Sequence, residues 1–296
     1  MNPWFLLFLV SIGAGGFFAL LIAVARTPVL SSLIPQNLFY HWLVGHVDLT
    51  LIIGLLSFLA FLWGEKFKTE EKFYRLLLAY GGALGVFLSA LLGFGKPVDN
   101  NYVPTLHHPL FFISMALFFL GYTLRSLSLA KASIKNILSP EPLKSTLSAS
   151  ILLSLLLSLS ALLSFIRSEP SKELYLYFES VYWLPGHTHQ FINACLLLSS
   201  WITLASLGDL RVPRYFSYLP LFLLPFPVLY LLLLFYGSDP LSPLVKTLTT
   251  LGYGIGIGVP TVVAALYFMK GLGGNYWGKV LALSAGVYLI GAGMVT

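Results

Sequence analysis

Six histidines are the residues of this chain whose side chains could do chemistry, and they fall in three short segments. The segments read "FYHWLVGH", with His41 and His46, "TLHHP", with His107 and His108, and "PGHTH", with His187 and His189. Neutral imidazole is the commonest metal ligand, and helical bundles hold haem or metal ions between facing helices. If the fold brings the three segments together, their ring nitrogens predict a haem or metal site.

A structural role is the alternative for any one of these histidines. Aromatic and amphipathic side chains collect at membrane interfaces, and Tyr40 and Trp183 lie beside the histidines in the sequence. His46 stands several residues inside its apolar segment, where a ring needs a partner to offset burial. Successive helical residues rotate by about 100°, so His187 and His189 point nearly opposite ways. One helix could therefore serve sites on two sides.

The composition places these segments in a membrane. Hydrophobic residues make up 57% of the 296 residues, whereas charged residues make up 9%. A soluble domain carries about 25% charged residues. The net charge of +6 needs no nucleic-acid partner, because Lys and Arg accumulate in the cytoplasmic loops of membrane proteins. We therefore expect the lipid bilayer to be the partner of an integral membrane protein.

The apolar runs predict an all-α polytopic bundle of about nine transmembrane helices, since a spanning helix needs about 20 apolar residues. Uninterrupted runs of this length fit helices, and strands are not expected. Pro185 suits the first turn of the sixth helix. No soluble domain is found, so residues 1–296 are expected to form a single transmembrane domain. The predicted spans are 3–25, 43–63, 73–94, 108–129, 146–166, 186–207, 215–236, 245–269 and 278–296.

The distribution of basic residues predicts the orientation. Lys and Arg concentrate in the connections 64–75 and 125–144 and near residues 211–214 and 270–279. The positive-inside rule then places the N-terminus in the cytoplasm, so that every even-numbered helix begins on the outer side. All three histidine segments open even-numbered helices. We expect a multi-pass protein of the inner membrane with its histidines toward the periplasm.

Haem fits the histidine pattern better than a closed zinc site. Zinc sites favour Cys/His tetrahedra with C-x-x-C or H-x-x-x-H spacing, and the sequence has neither spacing and one cysteine. A haem needs one or two axial imidazoles and apolar walls, which a chain with 15% aromatic residues can supply. The segment "GYGIGIGVP" adds glycines at alternate positions, which favour close helix packing or a bend.

At these residues the chain resembles subunit I of the haem-copper oxygen reductases and their nitric oxide reductase relatives. "GHTHQF" is similar to the G-H-x-H stretch of the cbb3-type branch. The segments "ARTPVL", "VGHVDL", "NYVPTLHHPLFF" and "WLPGHTHQF" resemble a bacterial group related to that subunit, and the resemblance covers about residues 24–200. The family core has more helices than are predicted here, and no histidine is left to supply the third ligand of its copper site.

The resemblance implies a set of roles for these residues. His46 and His189 would hold a low-spin haem b, and His187 would face a second site. His108, which precedes Pro109, or else its neighbour His107, would contribute to a second haem or to copper. Arg26 would pair with a haem propionate, although snorkelling to the interface is equally open.

The implied activity is that of a cytochrome oxidase-like oxidoreductase, a protein handling electrons and O₂ or NO, whose donor would be a cytochrome c or copper protein on a separate chain. Asp48, an acid within a span, is a candidate for proton transfer or for contact with a ligand histidine. Two other functions stay open. One is a haem-modifying enzyme similar to haem A synthase, although its E-x-x-H-R motif is absent. The other is a copper or zinc transporter or metallochaperone, although only four Met are present for copper(I).

Overall fold

The computed structural model describes residues 1–33, 35–169 and 173–295. Almost all of these residues lie in helices, and eight helices among them are long and apolar enough to cross a membrane. The prediction of a mainly helical chain with many membrane-length helices is therefore confirmed. The last predicted span, 278–296, corresponds to the helix Tyr276–Val295. Residue 296, which ends the predicted span, lies outside the described part.

Several spans are built from more than one helical segment. Two of them contain a π-helical stretch, Asp48–Gly54 and Gly252–Gly258, in which the backbone winds more widely than in an α-helix. Short 3₁₀ turns cover Ser31–Leu33, Gln36–Leu38, Arg214–Tyr218 and Met269–Gly273. The α-helices are α1 Pro3–Arg26, α2 Phe39–Val47, α3 Leu55–Phe67, α4 Phe73–Leu91, α5 Pro109–Asn136, α6 Pro142–Arg167, α7 Leu174–Leu207, α8 Pro220–Leu223, α9 Pro225–Phe235, α10 Pro243–Leu251, α11 Val259–Phe268 and α12 Tyr276–Val295.

The chain divides into two compact units. The first comprises Met1–Ser128 with Ser168–Trp183, and the second Leu129–Arg167 with Leu184–Thr296. In the first unit α1 packs along α2 and α3, and α4 packs against α2. In the second unit α6 packs against α9, and α11 against α12. That residues 1–296 form a single transmembrane domain stays a prediction.

Small residues bring the helices of the first unit together. A Cβ at Gly45 would lie 2.6 Å from the Cβ of Ala90 and 2.8 Å from the ring of Phe18. Gly82 of α4 likewise faces the backbone of α5 at Ser114. Close approach of helix backbones through small residues is how membrane helices gain packing contacts where no water drives association.

The start of the sixth span differs from the prediction. Helix α7 begins at Leu174 and not at residue 186, so Pro185 lies inside the helix and not in its first turn. Proline there removes one backbone hydrogen bond, which membrane helices tolerate when neighbouring groups compensate. Glu179 and Ser180 are polar and interrupt the apolar run, so hydropathy did not indicate that the helix begins before them.

The expectation that strands are absent is also wrong. Lys96–Val98 (β1) and Thr105–His107 (β2) form an antiparallel pair in the first unit, with Lys96 opposite His107. Asn100 holds the loop between the strands, because its side chain accepts hydrogen bonds from the backbone of Tyr102 and Val103 at 3.1 and 2.9 Å. Such short-range turn chemistry does not appear in a hydropathy pattern.

Candidate functional site

His46 is held by helix α1 of the same unit. Its Nδ1 atom lies 2.9 Å from the carbonyl oxygen of Gly15. Because that oxygen can only accept, Nδ1 carries the proton and the lone pair of the neutral ring is on Nε2. Metal-binding histidines almost always donate their other ring N–H to a carbonyl, carboxylate or water in this way. The half-buried ring of His46 therefore has the tautomer and support of a ligand that binds through Nε2.

The absence of a side chain at Gly15 makes this contact available. A Cβ at position 15 would overlap the methyl group of Thr50 and lie 3.2 Å from the carbonyl oxygen of His46. The Thr50 hydroxyl donates to that same carbonyl oxygen at 2.6 Å. Gly13 and Gly16, on the same helix, face open space. One glycine of the "GAGG" stretch thus sets the distance between α1 and the His46 helix.

Asp48 begins the π-helical stretch that follows His46. Its side chain is 0% exposed, and neither carboxylate oxygen has a hydrogen-bond partner among the described residues. The predicted contact of Asp48 with a ligand histidine is thus not made as a hydrogen bond to His46. A buried acid without partners is costly in its charged form. Asp48 is accordingly the residue of this segment most able to hold or release a proton.

His187 stacks on a tyrosine of the second π-helical stretch. The ring centroids of His187 and Tyr253 are 4.8 Å apart with an interplanar angle of 19°, and the ring of Tyr230 meets His187 edge-on at 6.1 Å. The histidine is 2% exposed. The ring of Phe191 would lie 2.6 Å from a Cβ at Gly256. Of the two roles expected for this glycine-rich segment, close packing is thus found at Gly256.

His189 has a buried ring nitrogen that makes no hydrogen bond. Its Nε2 atom is without a partner among the described residues of the structure. Leaving a buried polar atom unpaired costs about 1–3 kcal/mol, so such an atom needs an explanation in a native protein. A ligand bound to Nε2 would supply the missing partner.

The sequence had indicated that the His-His pair opens a helix, but the two residues do not lie on one helix. His107 ends strand β2 and is exposed, whereas His108 directly precedes α5, which begins at Pro109. The Nδ1 atom of His108 accepts a hydrogen bond from the backbone N–H of Leu110 at 3.2 Å, and its ring stacks on Phe94. His108 thus occupies the N-terminal end of α5 as a capping residue, with its proton on Nε2 when neutral.

His41 and Arg26 have local partners in the first unit. The Nδ1 and Nε2 atoms of His41 lie 3.1 and 2.8 Å from the carbonyl oxygens of Asn37 and Gly95. Both nitrogens of this buried ring therefore face a carbonyl oxygen, and a neutral ring, which has one N–H, donates to one of the two. Arg26, the predicted propionate partner, is exposed at the end of α1 and lies over the ring of Phe39 at 5.1 Å. Its guanidinium group keeps N–H donors for an anionic ligand.

A buried charge cluster at the other end of the first unit was not predicted. Glu71 accepts a hydrogen bond from the indole of Trp4 at 2.7 Å and forms ion pairs with Arg125 at 3.0 Å and Arg75 at 3.7 Å. Arg75 and Arg125 are 7% and 1% exposed. The sequence analysis had used both arginines, which lie within the predicted spans 73–94 and 108–129, only as markers of the cytoplasmic side, and it did not predict that they are buried and paired. Hydropathy does not distinguish a buried, paired arginine from a loop residue.

The predicted ligands are divided between the two units. His46, His107 and His108 belong to the first unit, and His187 and His189 to the second. Within neither unit do the described residues bring three His, Cys, Asp or Glu side chains together as a metal site. The features that sequence reasoning missed are the partners, above all Gly15 and Tyr253. The glycine-rich stretches were the signal that could have pointed to them.

Comparison with known proteins gives a family without a stated activity. A protein of Aquifex aeolicus strain VF5, described as uncharacterized, is 44% identical over 293 residues, which cover 98% of this chain and 74% of that relative. The chain belongs to the family of this Aquifex protein. A Rickettsia prowazekii protein, also described as uncharacterized, is 28% identical over 269 residues, or 80% of this chain. This chain covers 52% of the Rickettsia protein. No family model and no solved structure matches.

Proposed function

We propose that this protein is a membrane haem protein with a redox function, in which His46 binds haem iron through Nε2. The observation that carries the proposal is the hydrogen bond from His46 Nδ1 to the carbonyl oxygen of Gly15, 2.9 Å long. It fixes the tautomer, orients the ring and raises the basicity of the opposite nitrogen, as at known metal-binding histidines. His41, by contrast, faces a backbone carbonyl oxygen with each ring nitrogen, and Nδ1 of His108 accepts from a backbone N–H.

His189 is the proposed ligand of the second unit. Its buried Nε2 atom lacks a hydrogen-bond partner among the described residues, which supports a bound group at that atom. The sequence resemblance assigns His46 and His189 to one low-spin haem b and His187 to a second site. That assignment predicts that replacing either His46 or His189 removes the same low-spin haem.

A haem supplies one-electron redox chemistry and, where a coordination position stays open, binding of O₂ or NO. The residues of this chain orient the ligand ring and exclude water from its surroundings. Gly15 fixes the His46 imidazole, and the π-helical stretch after it buries Leu49, Ile52 and Ile53. Arg26 offers a charge that a propionate could take. Asp48 can hold a proton inside the first unit.

The observations support haem more than copper. His107 is exposed and His108 caps α5, so the second metal of the resembled family rests on the sequence likeness alone. We further propose an inner-membrane location with the N-terminus in the cytoplasm and the histidine segments toward the periplasm. The electron donor would then be a periplasmic cytochrome c or copper protein on another chain.

Metal and haem analysis of the purified, full-length protein tests this proposal. We expect iron at one or two atoms per chain, extractable as haem b, with an optical Soret band. Copper or zinc in place of iron would contradict it and select a transporter or metallochaperone. Substoichiometric haem of altered chemistry would contradict a resident redox cofactor and select a haem-modifying enzyme.

A further inference from the structure

The second unit contains a mainly apolar cavity, with a few polar groups, that none of the predicted functions uses. Its volume is about 490 Å³, and it lies along one face of α7. Positions 190, 193, 194 and 197 of α7 line it, which are spaced by three and four residues as one helix face requires. The opposite wall comes from the span Pro243–Gly273 and from Tyr288 of α12. We name it the Asn193 cavity.

The Asn193 cavity carries hydrogen-bonding groups but no charged side chain among its lining residues. Its polar groups are the amides of Gln190 and Asn193, the phenols of Tyr253 and Tyr288, and the hydroxyl of Thr261. Four of them stand in helices long and apolar enough to cross a membrane, where polar side chains are costly and mark functional sites, and Tyr288 stands in α12. An uncharged lining excludes an ion or a phosphate ester and favours a neutral ligand that enters from lipid.

One lining atom requires a hydrogen-bond donor. The Oδ1 atom of Asn193 is buried and accepts no hydrogen bond from any described residue, although its amide nitrogen donates to Gln190 at 3.4 Å. A carbonyl oxygen can be satisfied only by an N–H or O–H group. The missing partner is therefore a donor, which a hydroxyl group on a bound molecule would supply.

Tyr288 offers a second acceptor across the cavity. Its hydroxyl oxygen lies 2.5 Å from the hydroxyl oxygen of Thr261. Thr261 already donates its proton to the carbonyl oxygen of Ile257 at 2.6 Å, so the proton between the two hydroxyls belongs to Tyr288. The lone pairs of Tyr288 are then left to accept from a ligand hydroxyl.

Small and aromatic residues both line the Asn193 cavity. Gly258 and Ala194 add little bulk to its walls, and Tyr253, whose ring stacks on His187, is one of the lining residues. We propose that the Asn193 cavity binds a lipid-soluble quinol, the reduced form of a quinone, with its hydroxyl groups donating to Asn193 and Tyr288. None of the proposed haem ligands lines the cavity, so this inference does not depend on haem binding.

Binding of decylubiquinol to the full-length protein in nanodiscs tests the inference. We expect saturable binding to wild type, weakened about tenfold by Asn193→Leu and about fivefold by Tyr288→Phe, because each removes one acceptor. Thr203→Val on the same helix is the matched control, since Thr203 bonds the carbonyl oxygen of Ser199 and does not line the cavity, and binding should be unchanged.

Decylbenzene, which has the same tail and no hydroxyl groups, measures partition into lipid. Equal uptake of decylbenzene and decylubiquinol would overturn the proposal, as would affinity unchanged by both cavity substitutions. If Asn193→Leu does not fold, the Tyr288→Phe result decides alone. Haem content of the same samples is measured separately, so that loss of haem and loss of quinol binding are distinguished.

Discussion

Single atoms decide what each histidine of this protein can do. His46 donates from Nδ1 to a carbonyl oxygen and so keeps Nε2 as an acceptor, His41 faces two carbonyl oxygens, and His108 accepts from a backbone N–H. These partners distinguish His46, the proposed ligand, from His41 and His108, whose roles are structural. The sequence could mark all of these positions, because imidazoles are rare in apolar segments. It could not assign the ring partners, which come from other helices and loops.

Asp48 yields a prediction at the same scale. Both of its oxygens are buried without hydrogen-bond partners among the described residues, so the neutral acid is the form that costs least. We expect the infrared spectrum to contain a protonated carboxylic acid band that disappears in Asp48→Asn. The isosteric amide should change the free energy of unfolding by no more than about 1 kcal/mol.

A large loss of stability in Asp48→Asn would contradict this interpretation, because it would reveal a charged partner of the carboxylate. The exposed acid Asp239 provides the control, since Asp239→Asn should leave the protonated-acid band in place.

Helix packing positions the proposed ligand. Gly15→Ala would push α1 away from the helix that carries His46, because the added Cβ overlaps Thr50. Forcing bulk into a packed contact costs about 1–3 kcal/mol. We expect a lower thermal midpoint and a lower haem content.

Gly13→Ala and Gly16→Ala are matched controls, because both positions face open space on the same helix. Alanine is a better helix former than glycine by up to about 1 kcal/mol, so these variants should be neutral or slightly more stable. Equal effects at all three positions would show that α1 does not set the position of His46.

The cluster of Glu71, Trp4, Arg75 and Arg125 links the starts of α1 and α4 to the middle of α5 in the first unit. Glu71→Gln would leave the buried arginines Arg75 and Arg125 without their shared carboxylate. Removing one partner of a buried ion pair costs about 3–5 kcal/mol. We expect a loss near the lower value, because the Glu71 side chain is 13% exposed, and chemical denaturation measures it.

Glu70→Gln at the neighbouring exposed position should change the stability little. Equal losses of stability in Glu71→Gln and Glu70→Gln would show that the cluster does not hold these helices together.

Helix existence was predictable and helix ends were not. Long apolar runs identified the spans because lipid requires about 20 apolar residues. The start of α7 was missed, since Glu179 is polar but buried and its carboxylate accepts a hydrogen bond from the backbone N–H of Asn101 at 3.2 Å. The π-helical stretches depend on how neighbouring helices pack, which residue spacing does not encode.

At the scale of the whole molecule, the chain is a mostly helical protein with eight membrane-length helices in its described part, and it shares its family with the Aquifex protein. The histidines are divided between two compact units, so local sequence could indicate candidate ligands but not their distances. The proposed function depends on whether haem iron binds the Nε2 atoms of His46 and His189.

The reduced-minus-oxidised optical spectrum of the purified protein tests that claim most directly, measured on wild type, His46→Ala and His41→Gln. We predict a haem b spectrum in wild type and in His41→Gln. In His46→Ala we predict loss of the low-spin bands and their partial recovery when imidazole is added, since free imidazole can take the vacant axial position. A wild-type spectrum without haem bands, or one unchanged by His46→Ala, would contradict the account.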